Sequence, residues 1–526
     1  MKRLLILCLS LFAFAWVQAQ DQGAWVFFTD KDGVSFDPYS YFHPKAIERR
    51  KNEGLPLSHI TDWPVRQDYQ EILQEMGAEL LFSSRWFNAS AVYASVEELQ
   101  AIAQLPFVKS IESTMLEDGG LAEVEDDSKA PDGFKGLAWA QTEVMGLKEF
   151  RAQKINGKGV RVAVFDAGFP GVDKHEAFEH IRQRDGIKAT YDFVKNKSFV
   201  YDYGAHGTNV LSCIAGKRNG KPLGLATGAD FLLARTEMTL REPFSEEKNW
   251  LAAAEWADKN GADVINSSLG YTYHRYFTWD MDGKKSLVAR AANMAARKGI
   301  LVVNAAGNEG STDSWGIVGT PADADSVLSI GGIDPWTNYH INFSSYGPTA
   351  DGRKKPNVSA FGYAVTAQPK GGYAGSYGTS FASPLVAGFA ACAKQAKPQA
   401  KAMELFQAIE IAGSLYPYYD YAHGHGMPHA SQLLNAVDLL ETFSVTEMPE
   451  SIEVTLKDLP EPKPLPGEVS NAPYLYFHYA DPKGKIVNYL VVDLEGATSY
   501  SISTEDFPEA YQVFIHYRGY SLKIKL

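Results

Sequence analysis

The strongest structural signal in the chain is the stretch Gly378-Thr-Ser-Phe-Ala-Ser-Pro-Leu-Val-Ala-Gly-Phe-Ala-Ala-Cys392. A glycine here brings one serine, Ser380, to the start of a segment that carries no charge before Lys394. Because every side chain in between is small or apolar, we expect a helix that is buried on all sides. Pro384 falls in its first turn, where a missing N–H costs little.

The hydroxyl of Ser380 has two interpretations. At the start of a buried helix it lies among unpaired backbone N–H groups at the positive end of the helix dipole, which suits a nucleophile that must handle developing negative charge. Serine is also an ordinary helix cap, and the cap is the better explanation of such a serine taken alone. Residues elsewhere in the chain have to decide between the nucleophile and the helix cap.

A central region alternates buried strands and helices. The segments Val160–Phe165, Asp263–Asn266 and Ile300–Val303 are short continuous runs rich in Val and Ile, as expected of central parallel strands. Helices are predicted between them at Lys248–Lys259 and Ser286–Arg297. This order predicts an α/β fold with an open, doubly wound and mostly parallel sheet, in which sites form at the carboxyl ends of the strands.

Smaller units flank this region. Residues from Trp25 to about Glu112 are predicted to form an α+β unit of four strands with helices, and the acidic stretch Glu117–Asp132 is predicted to be exposed. Four prolines in Leu459–Pro466 indicate a stiff linker. The remainder, Tyr474–Leu526, alternates as four short strands and predicts a small all-β domain.

Composition limits the function classes. A chain of 526 residues needs two or three domains, and its net charge of −13 argues against nucleic acid or an anionic membrane as the partner. Lys2 and Arg3 precede the apolar run Leu4–Val17, which predicts a signal peptide at residues 1–19 and export to the periplasm, the cell surface or the medium. No later segment is long enough to predict a transmembrane helix. The two remaining cysteines, Cys213 and Cys392, are predicted to be buried thiols.

Three residues could form a nucleophilic site. Asp166 follows the strand Val160–Phe165, and His206 begins a helical pattern. Taken alone, Asp166 is better explained as a helix-capping or turn aspartate, and His206 as a histidine with a structural hydrogen bond. A serine hydroxyl, however, needs a base within hydrogen-bond reach and a third group to orient that base, and Asp166, His206 and Ser380 supply those three roles.

Four blocks of sequence carry a family resemblance. They are Val162–Gly168 (VAVFDAG), His206–Gly216 (HGTNVLSCIAG), Asn304–Gly310 (NAAGNEG) and Gly378–Pro384 (GTSFASP). In this order they resemble the subtilisin-like serine peptidases, the subtilases, over roughly Val144–Leu440. The first unit resembles the inhibitory prosegment of that family.

The resemblance implies a mechanism. Ser380 would attack a peptide carbonyl, His206 would accept its proton and Asp166 would hold the imidazole tautomer. It maps the oxyanion asparagine onto Asn308 rather than Asn304. The chain departs from the family pattern in two places, Asn209 and Phe381; neither residue belongs to the triad, and both bear on the shape of the cleft.

The resemblance also implies where substrate binds. One edge of the cleft would pair with extended peptide, and the opposite wall would line the primary specificity pocket. The residues implied for the edge are Ser268, Leu269 and Gly270, and for the wall Ala305, Ala306 and Gly307. Small wall residues leave room for a large side chain, so tolerance with an apolar bias is expected.

Together these expectations describe an exported serine endopeptidase made as a zymogen. The domains are a signal peptide (1–19), a prosegment (20–127), a subtilisin-like catalytic domain (128–445), and a linker with the β domain (446–526). A monomer is expected, with peptide or protein substrates and its own prosegment as intramolecular inhibitor. The chemistry requires no cofactor. Structural calcium, which subtilases often bind, has no ligands that can be assigned here.

Other charged or histidine-rich stretches have simpler interpretations. His423, His425 and His429 are separated by glycine and proline and are predicted to be solvated turn residues rather than metal ligands. The basic runs Arg49–Lys51 and Arg353–Lys355 are predicted to be solvated. A rival hypothesis is a catalytically silent binding protein on the same scaffold. The intact chemical blocks argue against it.

Overall fold

The structure is a computed structural model that describes residues 22–114, 134–238, 245–272, 275–435 and 440–526, apart from residues 461, 463, 467–468 and 508. The predicted signal peptide and the acidic stretch Glu117–Asp132 lie outside the described residues.

The N-terminal region contains four strands and four helices. They are β1 (Gln22–Phe28), α1 (Pro38–Tyr41), α2 (Pro44–Glu53), α3 (Gln67–Glu75), β2 (Glu79–Ser84), β3 (Ala89–Ala94), α4 (Val96–Ile102) and β4 (Val108–Thr114). The strands form one antiparallel sheet in the order β2-β3-β1-β4, which matches the predicted α+β unit of four strands with helices.

The chain divides into two compact units, and the division cuts through this region. Unit 1 comprises Met1–Phe36 with Ile60–Leu116, and unit 2 comprises Asp37–His59 with Glu117–Leu526. The segment Asp37–His59, which holds α1 and α2 and is called the arm below, therefore belongs with the large unit. Its Arg49 and Arg50 are only 4% and 1% exposed, so the prediction of a solvated basic run was wrong for them.

The central region of unit 2 holds the large sheet. Its first half contains α5 (Phe134–Glu143), α6 (Leu147–Ala152), β5 (Arg161–Asp166), α7 (Glu179–Arg182), β6 (Ile187–Asp192), α8 (His206–Ala215), β7 (Lys217–Arg218), β8 (Lys221–Pro222), β9 (Asp230–Arg235), α9 (Ser245–Lys259) and β10 (Val264–Ser267). Its second half contains α10 (Leu287–Arg297), β11 (Leu301–Ala305), β12 (Val327–Ile333), β13 (Val358–Phe361), β14 (Tyr363–Ala367), β15 (Tyr373–Tyr377), α11 (Thr379–Ala396), α12 (Ala402–Ile411) and α13 (Ala430–Leu434).

Seven parallel strands form this sheet in the order β13-β12-β11-β10-β5-β9-β6. The three strands predicted from sequence, β5, β10 and β11, are neighbours at its centre, which confirms the predicted fold class. Helix α11 is buried from Thr379 to Ala393 and packs against the sheet and α8, as its uncharged sequence predicts. The thiols of Cys213 and Cys392 are free and buried, and burial raises the pKa of both. No helix in the described part of the chain is long and apolar enough to cross a membrane.

The C-terminal region is all β, in two sheets. Its strands are β16 (Phe443–Glu447), β17 (Ser451–Leu456), β18 (Leu475–Ala480), β19 (Ile486–Val492), β20 (Ser499–Ser503), β21 (Gln512–Tyr517) and β22 (Tyr520–Lys525). The sheets β16-β17-β20 and β19-β18-β21-β22 share one hydrophobic core. Strand β16 crosses the predicted boundary at residue 445, so these sheets begin at Phe443.

Two further predictions of solvated residues were wrong. His423 and His425 are 4% and 9% exposed, because Tyr476 of the C-terminal sheets packs on His423 and Tyr419 packs on His425. Lys355, expected in a solvated loop, is 2% exposed and donates to the carbonyl of Val327. Burial lowers the pKa of its ammonium group to about 7.

Neutral histidines line the junction between the region of the large sheet and the C-terminal sheets. His478 and His516 lie 5.1 Å and 6.0 Å from the ring of Tyr418 between ring centroids. On the side of the large sheet, His425 is buried and His340 is half-buried. Desolvation lowers the pKa of all four to about 4. The charged or titratable groups that act on the first three of these rings, His340, His425 and His478, are His423, Asp420, Lys354 and Lys523.

We expect this junction to be acid-labile. In the folded protein the pKa of these histidines is about 4, below the ordinary value of 6.5. Their contribution to the free energy of unfolding is therefore fully present above pH 6.5 and is lost as the pH falls towards 4. At pH 4.5 each of these histidines should lower the free energy of unfolding by about 2 kcal/mol relative to neutral pH. Thermal unfolding measured from pH 7 to pH 4 should show a smaller fall in Tm for His478→Phe than for the wild type. Exposed His59→Gln serves as control, and equal falls in all three proteins would contradict the expectation.

Candidate active site

Asp166 and His206 meet at the carboxyl edge of the large sheet. Asp166 ends β5 and is fully buried, whereas His206 begins α8 and its side chain is 23% exposed. The Nδ1 atom of His206 lies 2.9 Å from Oδ1 and 3.0 Å from Oδ2 of Asp166, and Oδ1 also accepts the backbone N–H of Ala167. The carboxylate can therefore hold one tautomer of the imidazole, with the proton on Nδ1.

Gly207 explains how α8 comes so close to Asp166. A Cβ atom at this position would lie 2.3 Å from the carbonyl oxygen of Gly168 and 2.9 Å from Cβ of Asp166. Any side chain there would push the first turn of α8, and His206 with it, away from the carboxylate. The His-Gly pair is thus a packing requirement as well as a sequence motif.

Ser380 is the second residue of α11 and is 6% exposed. Its hydroxyl donates to the carbonyl of Ser268 at 3.2 Å, and the hydroxyl of Ser268 donates back to the carbonyl of Ser380 at 2.9 Å. The ring of the next residue, Phe381, lies 5.6 Å from the ring of His206 between centroids. The structure thus brings Ser380 to the edge that carries Asp166 and His206.

Asn308 is held in one orientation beside this serine. Its Oδ1 accepts the backbone N–H and the hydroxyl of Thr379, both at 2.9 Å, so its Nδ2 group is the one left to donate to a ligand. Asn304 is engaged differently, because its Nδ2 donates to the carbonyls of Leu269 and Ala305, each at 2.8 Å. Geometry therefore favours Asn308 over Asn304 as the residue that could contact a bound anion.

The six predicted substrate-binding residues lie at or just after the carboxyl ends of two adjacent strands. Ser268, Leu269 and Gly270 come after β10, and a Cβ atom on Gly270 would meet nothing within 4 Å, so open space lies beside it. Ala305 ends β11, and Ala306 and Gly307 follow it. The side chain of Ala306 is fully buried in a small cluster with two other residues, so it does not face an open cleft. These residues are Val318 and Ala322.

Arg235, which the sequence did not single out, lies beside Asp166. It ends β9 and pairs in register with Asp166 on one side and Asp192 on the other. It is 3% exposed; its Nε donates to the carbonyl of Ala167 at 3.0 Å, its Nη1 contacts Asp192 at 3.1 Å, and its guanidinium lies 3.6 Å above the ring of Tyr203. The signal in the sequence that could have identified it is an arginine at the end of an apolar, buried strand.

We expect Arg235 to act as a positioning residue. Arg235→Lys keeps a charge near Asp192 but loses the fixed contacts to Ala167 and Tyr203, which flank Asp166 and His206. The turnover at this site, measured as kcat, should fall by roughly tenfold with a smaller change in KM, because small displacements of reacting groups cost large factors in rate. Arg184→Lys is the matched control, since Arg184 pairs with Asp230 at the opposite end of the same strand. Equal kcat values for the two variants would contradict this role.

The described residues show no metal cluster. Within the described ranges no group of three or more His, Cys, Asp or Glu side chains is placed to hold a metal ion. His423 bonds to Asp420 at 3.1 Å, His425 to the carbonyl of Tyr418 at 2.7 Å, and His429 caps α13. Each of the three histidine rings thus has a partner within the protein. No ligands are assigned to the structural calcium ion that the sequence resemblance implies.

Two family models match the chain. The model described as the subtilase family matches residues 157–432, and the model of the peptidase S8 propeptide domain of Bacteroidota matches residues 23–128. The first match spans the large sheet and every residue of the candidate site. The second spans the antiparallel sheet of unit 1 and the arm.

Similar curated proteins agree with these matches. Subtilisin NAT of Bacillus subtilis subsp. natto is 30% identical over 331 residues, which cover 61% of this chain and 74% of the relative. Subtilisin DY of Bacillus licheniformis is 32% identical over 48% of this chain and 84% of the relative. A thermostable alkaline protease of Halalkalibacterium halodurans is 29% identical over 74% of this chain and 94% of the relative.

Proposed function

The chain belongs to the subtilase family, and from this membership we propose that it is an exported serine endopeptidase whose triad is Asp166, His206 and Ser380. The observation that supports the triad best is the pair of contacts from His206 Nδ1 to the Asp166 carboxylate, at the edge where α11 presents Ser380. The propeptide match identifies the chain as a zymogen that carries its own inhibitor.

The proposed reaction begins with Ser380. Its hydroxyl rotates from the Ser268 carbonyl towards His206 Nε2, and the oxygen attacks the carbonyl carbon of the peptide bond as the proton passes to Nε2. Asp166 stabilises the imidazolium that forms. His206 then donates this proton to the leaving amine, and a water molecule activated by the same imidazole hydrolyses the acyl-enzyme and restores the serine.

The oxyanion of each tetrahedral intermediate needs donors that are already in place. We assign this role to the backbone N–H of Ser380, at the start of α11, and to Nδ2 of Asn308. Thr379 supports the assignment, because it occupies Oδ1 of Asn308 and leaves Nδ2 to face the substrate. Fixed donors stabilise the transition state without the reorganisation that water would require.

Substrate is proposed to lie along the exposed edge after β10. An extended peptide would pair with the backbone of Ser268, Leu269 and Gly270, and its P1 side chain would enter towards Ala305 and Gly307. The open space at Gly270 supports this direction of entry. Because Ala306 is buried in its own cluster, we assign the wall to its two neighbours.

A fluorophosphonate probe tests the proposal directly, because it reacts only with an activated serine. After the chain is cut between Glu117 and Ala138, we expect labelling of the wild type at Ser380, located by mass mapping of peptides. His206→Ala should label far more slowly and Ser380→Ala not at all. A wild type that stays unlabelled would support the rival, a silent binding protein.

A further inference from the structure

A cavity of about 300 Å³ lies near the amino ends of β5 and β9. Its walls come from α6, from the β7–β8 hairpin that follows α8, and from the loop that leads into β9. His206 begins α8, whereas Lys217, in the wall of the cavity, comes two residues after the end of that helix. The ten residues of α8 span about 15 Å, so the cavity is separate from the proposed active site.

Three cationic side chains line the cavity without an acidic partner. They belong to Arg151, Lys154 and Lys217. In the part of the chain that the structure describes, none of the three side chains forms an ion pair or a hydrogen bond. Asp230, the carboxylate at the start of β9, pairs with Arg184 instead, at 2.9 Å. Positive charge therefore accumulates at the cavity with no carboxylate bound to these three groups.

Two titratable groups show the effect of this positive charge. Burial lowers the pKa of the Lys217 ammonium group, and the positive charges of Arg151 and Arg184 lower it further. Burial, followed by the charges of Lys217 and Arg184, lowers the pKa of His180 to about 4. Like charges thus repel each other here, and a bound anion would relieve that repulsion.

The helices that end beside the cavity do not use these cations as caps. The carbonyl of Phe150, near the end of α6, accepts the backbone N–H of Ile155 at 2.8 Å. The carbonyl of Ile214, near the end of α8, accepts the backbone N–H of Ala226 at 2.9 Å. Because backbone groups occupy these carbonyls, the donors of the three cationic side chains remain available for a ligand.

Apolar side chains form another part of the wall. Leu147, Ile155 and Leu225 line the cavity and are buried. Leu147 and Arg151 are four residues apart on α6, so an apolar and a cationic side chain lie on the same face of this helix. A ligand in the cavity can therefore meet both charge and apolar surface.

We propose that this cavity binds a small ligand in which a doubly charged anionic group, a phosphate monoester by chemical class, adjoins an apolar group. Several positive charges at one place are balanced better by a dianion than by a single carboxylate. The planar guanidinium of Arg151 can donate to two oxygens of the anion, and the ammonium groups of Lys154 and Lys217 add further donors. This binding goes beyond the proposed peptidase reaction and does not depend on it.

Titration calorimetry tests the proposal on the full chain with Ser380→Ala, so that self-processing does not interfere. The probe is phenyl phosphate at pH 8, where its phosphate group is doubly charged. We expect a Kd below about 1 mM. Inorganic phosphate lacks the apolar group and benzoate lacks the second charge, so each should bind about fivefold more weakly or worse. Benzoate binding as tight as that of phenyl phosphate would overturn the assignment of a dianion.

Substitutions in the wall test which charges hold the anion. Arg151→Gln and Lys217→Gln should each raise the Kd for phenyl phosphate by about tenfold or more, because each removes charge-assisted hydrogen bonds. Lys148→Gln is the matched control: it changes the same charge on α6, but Lys148 is exposed and lies outside the wall, so its Kd should equal that of the parent. Equal Kd values for Lys217→Gln and Lys148→Gln, or no heat of binding at about 10 mM phenyl phosphate, would overturn the proposal.

Thermal unfolding in a buffer free of phosphate separates a ligand site from a role in the fold. Because like charges repel Lys217, Lys217→Gln should keep or raise the Tm of the parent protein. A lower Tm for Lys217→Gln, with Lys148→Gln unchanged, would assign the charge of Lys217 to the stability of the fold and would contradict the proposal. Neither measurement uses catalysis, so a failure of the peptidase assignment would appear only in the labelling experiment.

Discussion

Ser380→Ala is expected to fold normally and to lower kcat for peptide hydrolysis by about 10⁶-fold. This magnitude is the one known for the nucleophile of subtilisin, to which this chain is related, and it is not obtained from this structure. The hydroxyl makes one hydrogen bond, to the Ser268 carbonyl, so its loss should cost only about 1 kcal/mol of stability. Hydrolysis of a chromogenic peptide and thermal unfolding measure the two effects separately.

Self-processing offers a second measurement on the same variant. The wild type should cut its own chain between Glu117 and Ala138, whereas Ser380→Ala should keep the uncut mass. Ser383→Ala is the matched control, because this serine lies on the same buried helix and bonds to Asn266 at 3.1 Å. Identical intact termini in wild type and Ser380→Ala, or equal losses of kcat in the two serine variants, would contradict the assignment of Ser380.

Asn308→Ala is expected to lower kcat by about 10²–10³-fold with little change in KM, again the size known for subtilisin rather than one obtained here. The split between kcat and KM follows because Nδ2 would stabilise the charge of the intermediate, whereas the uncharged substrate gains little from it. Steady-state kinetics on one peptide over a range of concentrations measures both constants.

Thr379→Val refines this test. It removes one of the two groups that fix Oδ1 of Asn308, while the backbone N–H at 2.9 Å remains. A loss of roughly fivefold in kcat is expected, the worth of one hydrogen bond. If Asn308→Ala instead raised KM and left kcat unchanged, Asn308 would contact the substrate in its ground state and not the oxyanion.

Local patterns were sufficient for the framework of the fold. The runs of Val and Ile that became β5, β10 and β11 were predicted correctly because a strand buried on both faces is apolar along its whole length. Helix α11 was equally clear from its lack of charge. The strands β16, β17 and β20 were missed, because they are half-exposed and their alternation is short.

Charged and histidine residues were where local patterns failed. A basic helix face has the same sequence pattern whether it meets water or a carboxylate, so Arg49 and Arg50 were expected to be solvated. Their partner Asp258 lies 209 and 208 residues away along the chain. His423 and His425 were misjudged for the same reason, since the rings that cover them include Tyr476 of a separate sheet.

The amino-acid sequence alone was enough to predict the family, the parallel sheet and the order of Asp166, His206 and Ser380, because motifs and hydrophobic periodicity are local properties. Tertiary structure was needed to show that Arg235 supports the turn after Asp166, that Thr379 orients Asn308, and that the arm belongs with the large unit. Each of these depends on a polar group that is buried only because distant segments pack over it. Exclusion of water strengthens such a contact and makes its loss costly, and no local stretch of sequence records where water is excluded.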